Sequence, residues 1–316
     1  MRRDSNDKIM SILHFLVGVT IVYIPLMLFG LLGNILTILV VWLRPHMRSS
    51  TYLYLSSMAV SDLLILLLLP LDLYKLWRPR PWPLGDLACK LSMFLSECCT
   101  FCTILHITFL SLERYLAVCW PITAKTLVTR RRTRVLIGCL WLGAAISAAP
   151  VLVMVGVEEI DKRECRCSDY AATSGLLSAM TILSNMYFLI PFFILGLVYS
   201  LIGRTLWLRP QSSRKDQSHR HTVKMLGVIV LAFVLCWLDV HSNNSYTHPD
   251  KNAFFYYYLS QYLNLVSSVL FYLSAAVNPL LYNLMSTRYR HALLPQYKSS
   301  AIHCTHDSNP VAFANC

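Results

Sequence analysis

Asp62 is the one charged residue in an apolar run from Tyr52 to Leu71. A carboxylate at bilayer depth costs about 2.5–3.5 kcal/mol even on lenient insertion scales. A chain that only had to cross lipid would carry leucine there, so Asp62 reads as an inward-facing ion, proton or switch position. The plainer alternative is a satisfied polar contact between packed helices. Asp72 lies ten residues on, about 15 Å nearer one face at the helical rise. Glu97 lies eight residues past Cys89. Two acids facing a water-filled cleft would attract a cationic amine or a basic side chain; otherwise each pairs internally, for example Glu97 with an arginine of the same chain. Glu113-Arg114-Tyr115 places an acid beside a base at the end of an apolar run. Such a pair closes on itself at rest and releases the arginine on demand. Pro191, with Tyr199 beyond it, and Asn278-Pro279-x-x-Tyr282 sit in two further apolar runs. Proline there removes a backbone bond and kinks the helix, and a neighbouring Asn can satisfy the freed carbonyls.

These residues need membrane-spanning helices to position them. Of 316 residues 56% are hydrophobic and 14% charged, and the mean hydropathy is +0.51. A soluble domain carries about 25% charge. A span needs about 20 apolar residues, and seven stretches qualify: Leu16–Leu43, Tyr52–Leu71, Cys89–Trp120, Val135–Val155, Leu176–Leu201, Val223–Leu238 and Phe254–Leu284. The sixth is the shortest. The expected fold is all-α, a seven-transmembrane helix bundle. Residues 1–15 form an outer tail, 16–285 the bundle and 286–316 an inner segment; Ser286–Tyr297 reads as a short amphipathic helix on the membrane surface, with Leu293 and Leu294 on its apolar side.

The net charge of +12 is concentrated in alternate loops, around Arg44 and Arg48, Lys125 to Arg134, Arg204 to Lys224, and Arg288 to Lys298. Lys/Arg excess marks the cytoplasmic side, so the N-terminus lies outside and a nucleic-acid partner is not implied. The first apolar run is too long for a cleaved signal peptide. Of eleven cysteines, Cys98, Cys99, Cys102, Cys119, Cys139 and Cys236 fall at membrane depth or near its edge and read as small apolar packers. Cys89, Cys165 and Cys167 lie on the oxidising outer side, where a Cys89–Cys165 disulfide would tie a loop over the bundle. Cys304 and Cys316 are candidates for palmitoylation or are plain thiols, and Asn243-Asn244-Ser245 is the one glycosylation sequon.

Singly these motifs are weak. Their order is specific: Gly33-Asn34; Met58-x-x-x-Asp62; Cys89 and, 24 residues on, Glu113-Arg114-Tyr115; Trp141 and Pro150; Pro191 and Tyr199; Phe233-x-x-Cys236-Trp237; Asn278-Pro279-x-x-Tyr282. The chain resembles the rhodopsin-like (class A) G-protein-coupled receptors over residues 16–297. Longer strings narrow this. Leu53-Tyr-Leu-Ser-Ser-Met-Ala-Val-Ser-Asp62, Pro70-Leu-Asp-Leu-Tyr-Lys-Leu-Trp77, Arg80-Pro-Trp82, Ser200-Leu-Ile-Gly-Arg-Thr-Leu-Trp207 and Ser260-Gln-Tyr-Leu-Asn264 resemble the ghrelin and motilin receptor family. Leu127-Val-Thr-Arg-Arg-Arg132, Leu105-His-Ile-Thr108 and Arg163-Glu-Cys-Arg166 lean toward its motilin branch, whereas the absence of a long, Pro-rich second outer loop pulls back toward the ghrelin branch.

The resemblance implies a plasma-membrane receptor, not an enzyme, with a peptide hormone outside and a heterotrimeric G protein of the Gq class, and arrestin, inside. By the same match the ligand pocket comprises Asp72, Ser96, Glu97, His241 and Tyr272. The switch comprises Glu113, Arg114, Tyr115, Tyr199, Trp237, Asn278, Pro279 and Tyr282. Arg114 is expected to pair with Glu113 when idle, then to reach toward Tyr199, Tyr282 and the G protein. Asp62, Thr103, Ser274 and Asn278 would hold a sodium ion or a water cluster; no other metal or cofactor is expected. Asn34 would hydrogen-bond across to the Asp62 helix. Ser218 to Lys224, at the inner end of span six, offers no acid to clasp Arg114, which implies signalling without agonist.

The pattern breaks after Trp237. Asp239-Val240-His241 stands where the family has Pro-Phe-His, and a polar stretch to Pro249 follows. A diverged or mis-spliced receptor with reduced agonist response is one alternative. An ion channel or transporter is another, though it would want more acids or bases at mid-bilayer and broken helices in paired halves. A retinal pigment would need a lysine in Phe254–Leu284, which has none.

Overall fold

The computed structural model describes residues 2–43, 49–78, 81–159, 163–207, 269, 271–277 and 279. The chain runs α1 (Arg2–Leu43), α2 (Ser50–Trp77), α3 (Gly85–Cys119), α4 (Pro121–Leu127), α5 (Arg130–Ala148), α6 (Val151–Met154), β1 (Val155–Glu159), β2 (Arg163–Cys167), α7 (Asp169–Thr173) and α8 (Leu176–Trp207). Residues 271–277 are also helical. Five segments are long and apolar enough to cross a membrane: Leu16–Leu43, Ser50–Trp77, Gly85–Cys119, Arg130–Met154 and Leu176–Thr205. They match the first five expected spans. Span six, most of span seven, the surface helix 286–297, Cys304, Cys316 and the sequon lie outside the described residues.

Three details fill in that frame. The backbone is helical from Arg2, so the segment ahead of the Leu16–Leu43 span continues α1; that stretch contains no Gly or Pro to stop a helix. Within the fourth span α5 ends at Ala148 and α6 resumes at Val151; Ala149 and Pro150 keep helical dihedrals, and Pro150, which has no N–H to donate, interrupts the hydrogen-bond ladder there. The fold is all-α as expected, with one short two-stranded sheet among the described residues. The second outer loop forms an antiparallel hairpin in which Val155 faces Cys167 and Val157 faces Cys165.

The bundle centres on α3, which packs against α2, α5 and α8. Tyr54, Leu66, Phe101, Cys99 and Cys102 are fully buried within it. Leu28, Leu32, Phe193 and Leu197 stay exposed, as lipid-facing positions must. α1, α2 and span seven meet closely at Gly30, where an added Cβ would fall 2.7 Å from Leu66 Cδ1 and 3.0 Å from Ala276 Cβ. At Gly33 an added Cβ would lie 2.9 Å from Pro279. This close approach delivers Asn34, fully buried, to span seven. Its Nδ2 donates to Gly30 O at 2.9 Å and to Ala275 O at 3.0 Å. Ala275 is four residues before Pro279, so its carbonyl is the one that proline leaves without a helical donor. Among the described residues Asn34 therefore bonds to its own turn and to span seven, at the carbonyl that Pro279 cannot serve, and not to the Asp62 helix.

Candidate functional site

The outer station is built from α2, α3 and span seven. Asp72 sits near the outer end of α2, with its side chain 44% exposed. The Tyr272 hydroxyl donates to Asp72 Oδ2, and Tyr23 of α1 stacks edge-on against Tyr272 at 5.4 Å. Lys75 Nζ lies 3.8 Å from Asp72 Oδ1 and 5.3 Å from the centroid of the Trp82 ring. One acid thus joins α2 to span seven beside a lysine. Glu97 of α3 has a different neighbour. It accepts a 2.9 Å hydrogen bond from Ser184 of α8. Among the described residues Glu97 has a hydroxyl and no arginine as partner. Ser96 lies beside it, its carbonyl accepting from Thr100 at 2.7 Å. His241 lies outside the described residues.

The hairpin is fastened to the outer end of α3. Cys89 and Cys165 form the expected disulfide, with Cα atoms 5.7 Å apart. Asp86 Oδ1 accepts from Val157 N at 3.0 Å, while Asp86 Oδ2 meets Lys90 at 2.7 Å. Trp82 N donates to Arg163 O at 2.8 Å, and Trp82 Nε1 to Gly85 O at 2.8 Å. Gly85 has φ +77°, a backbone position that suits a residue without Cβ. Arg166 bridges Glu158 at 2.9 Å and Asp169 at 3.0 Å, which stiffens the hairpin against α7. Cys167 is the spare outer thiol, exposed and unpaired with another cysteine; packing around the sulfur holds it above the usual thiol range, against the pull of Arg166.

Deeper in the bundle Asp62 is 1% exposed. Next to it Ser61 Oγ donates to Cys99 O at 3.0 Å and lies 2.9 Å from Thr103 Oγ1. Ser274 Oγ donates to Phe271 O at 2.7 Å. Thr103 is therefore tied to Ser61 across the α2–α3 seam, and Ser274 to its own turn. Carboxylate and hydroxyl oxygens are the donors that hard cations take, so the oxygen set of Asp62, Thr103 and Ser274 fits such an ion in kind. Asn278 lies outside the described residues.

Between this level and the inner face runs a network that the sequence did not disclose. Fully buried His106 has Nδ1 2.7 Å from Cys102 O and Nε2 2.9 Å from Ser57 Oγ, while Trp141 Nε1 donates to Ser57 Oγ at 2.9 Å. A carbonyl only accepts, so Nδ1 carries the hydrogen and Nε2 of the neutral ring accepts from Ser57. The chain Trp141–Ser57–His106–Cys102 joins α5, α2 and α3. Trp141 and His106 were legible as isolated residues; Ser57, one serine among many, carried no signal.

At the inner face Glu113 and Arg114 turn to α2 and not to each other. Glu113 Oε1 accepts from Tyr54 at 3.0 Å and from Thr133 of α5 at 3.5 Å. Arg114 Nη2 donates to Thr51 Oγ1. The expected Glu113–Arg114 ion pair is absent among the described residues. Successive helix residues point about 100° apart, and each side chain finds a hydroxyl on α2, one turn from the other's. Tyr199 of α8 meets Ser111 of α3 at 2.7 Å, and Tyr115 packs with Val118, Val198 and Ile202. Pro279 lies against Gly33 as described. Trp237, Asn278 and Tyr282 are outside the described residues.

Comparison with known proteins adds the following. Residues 33–282 match the family model described as 7 transmembrane receptor (rhodopsin family). The chain is 50% identical over 292 residues to the growth hormone secretagogue receptor type 1 of Sus scrofa, covering 88% of this chain and 80% of that one. Against the Homo sapiens receptor of the same name the identity is 49% over 292 residues, with the same shares. Against the Homo sapiens motilin receptor it is 43% over 332 residues, again with 88% and 80% covered. Overall identity is thus higher to the secretagogue receptors, the opposite of the lean given by three short strings.

Proposed function

Since the chain belongs to the rhodopsin family of seven-transmembrane receptors, and within it to the ghrelin and motilin receptor family, we propose that it binds a peptide hormone of that type and signals to a G protein of the Gq class. It is a multi-pass plasma-membrane receptor and not an enzyme. Arrestin is the expected second inner partner.

The observation that carries the proposal is the Asp72–Tyr272 contact beneath the tethered hairpin. An acid open to the outside holds span seven to α2. A ligand ammonium that takes Asp72 releases Tyr272, and a second cationic group finds Glu97 two turns down α3. The Tyr272 bond to the carboxylate is already charge-assisted, but a ligand ammonium brings a full opposite charge as well as a donor, so a ligand cation outcompetes the tyrosine hydroxyl. The displaced span seven is anchored at Ala275 by Asn34, and carries the change inward. The ligand shifts the population toward a state in which Arg114 is offered to the G protein.

Calcium mobilisation in cells challenged separately with ghrelin and motilin tests this reading. A response to either peptide, lost on phospholipase C inhibition, is expected; silence to both at full surface expression would contradict it.

Asp62, with Thr103, Ser274 and Asn278, holds a sodium ion or water cluster that favours the idle state in this proposal. Asp62→Asn is expected to remove the effect of sodium on agonist affinity, measured by radioligand binding with sodium exchanged for a bulky cation. A sodium response the same size as wild type would eliminate the site.

A further inference from the structure

The inner switch of this chain has a restraint on its acid that its motif does not contain. We infer that the Tyr54 hydroxyl, assisted by Thr133, is a positioning group that keeps the Glu113 carboxylate from clasping Arg114 and so sets the level of signalling without agonist. The inference rests on the reading that Arg114 carries the signal to the G protein.

Tyr54 is fully buried on α2, its ring edge-on to His106 at 6.0 Å. His106 is in turn held by Ser57 and Cys102. The tyrosine ring therefore has little freedom, and its hydroxyl is aimed at Glu113 Oε1 from 3.0 Å. Thr133, 1% exposed at the inner end of α5, reaches the same oxygen at 3.5 Å. Two donors on two different helices thus converge on one carboxylate oxygen. Arg114 meanwhile donates to the neutral hydroxyl of Thr51. A hydroxyl holds a guanidinium more weakly than a carboxylate does. The arrangement keeps the acid satisfied and the arginine loosely held, which favours capture of the arginine by a partner.

Removing the tyrosine hydroxyl leaves the carboxylate short of a donor in a half-buried site, where an unmade hydrogen bond is costly. The strongest donor in reach along the chain is the neighbouring guanidinium. The pair that the sequence suggests then forms, and Arg114 is withdrawn. The Tyr54→Phe change keeps the ring and its contact with His106, so it probes the hydroxyl alone.

The experiment is nucleotide exchange on a G protein in membranes, normalised to surface receptor, without and with peptide agonist. The set is wild type, Tyr54→Phe, Glu113→Gln and the double variant. One hydrogen bond spans about a two- to ten-fold population shift, and Tyr54→Phe is expected to lower agonist-free exchange within that range while agonist still stimulates. Glu113→Gln, which weakens the pull on Arg114, is expected to raise agonist-free exchange by a larger factor in the Tyr54→Phe background than in wild type. A purely structural role for Tyr54 would lower both readings together and show no such coupling. Agonist-free exchange that is unchanged or raised by Tyr54→Phe, or Glu113→Gln factors equal in the two backgrounds, would overturn the inference. If Tyr54→Phe does not reach the surface, Thr133→Val is read in the same way, with the same sign and a smaller effect; no change or a rise would count equally against it. Wild-type receptor that supports no exchange with or without peptide would remove the underlying reading, and the inference with it.

Discussion

Glu97→Gln lowers agonist potency by about 30-fold or more while surface expression stays at the wild-type level. The expectation follows from what surrounds the two outer acids. Asp72 is shared between the Tyr272 hydroxyl and Lys75 at 3.8 Å, so its charge is partly answered within the protein. Glu97 has Ser184 at 2.9 Å, a neutral donor. It is the acid with more to gain from a ligand cation. Truncating one member of a buried, hydrogen-bonded charge pair costs about 2–5 kcal/mol, and tenfold in affinity corresponds to about 1.4 kcal/mol. Gln keeps an oxygen for Ser184 to donate to, so the helix contact survives and only the charge is lost. Asp72→Asn is expected to cost less, because the Tyr272 contact persists as a neutral hydrogen bond. Concentration–response curves for calcium release, with receptor number measured on intact cells, decide between them. Equal potency for Glu97→Gln, or a larger loss for Asp72→Asn, would reverse the assignment.

The second large effect concerns the disulfide. Cys89→Ser and Cys165→Ser each reduce peptide potency by at least tenfold and lower surface expression, and the double variant is no worse than either single one. The bond closes a loop of 76 residues, which the chain-entropy model values at up to ~4.5 kcal/mol. Membrane insertion already restricts the unfolded chain, so that figure is a ceiling. The hairpin keeps its hydrogen bonds from Val157 to Asp86 and from Trp82 to Arg163, and these hold it less firmly once the covalent tether is gone. The ordering cost then falls on the ligand, as it does for any loop that must order on binding. Both substitutions remove the same bond, so their effects cannot add. Additive losses would mean that the two cysteines act separately. Rescue of pairing by Cys167 in the Cys165→Ser variant, detected by peptide mapping under non-reducing conditions, would explain a smaller loss for that variant.

The residues that could be read directly were those whose chemistry conflicts with their surroundings. Asp62 conflicts with lipid, so its burial was legible, and so was the ordered series of motifs around it. Cys89 and Cys165 were legible because the spans fixed which loops face an oxidising exterior. What could not be read were partners chosen by packing. Asn34 bonds to Ala275 because Gly30 and Gly33 let α1 approach span seven at the carbonyl that Pro279 orphans; no sequence pattern reports that approach. Glu113 and Arg114 are adjacent, which suggests that they pair. Helical geometry instead sends each to a separate hydroxyl of α2, and Thr51 and Tyr54 had no reason to be singled out. Likewise Ser57 gained its role only when Trp141 and His106 were brought to it from two other helices. The hairpin had no signal either: Arg163-Glu164-Cys165-Arg166 shows no two-residue alternation, and the strand is fixed by the disulfide and by its pairing with Val155 to Glu159. Three short strings resemble the motilin branch, whereas identity over the whole matched length is higher to the secretagogue receptors, because a few local matches carry little of that length.

The central claim is that occupation of the outer acids and the release of Arg114 are two ends of one equilibrium. Linkage requires that coupling to be reciprocal. The most direct measurement is the dissociation constant of a fluorescent peptide agonist on purified receptor in lipid nanodiscs, with and without nucleotide-free G protein. Wild-type receptor should bind the peptide roughly 5- to 150-fold more tightly when the G protein is present, the usual span of such couplings, and Arg114→Ala should lose that gain while keeping the low-affinity constant. Peptide affinity indifferent to the G protein in the wild-type receptor would contradict the account.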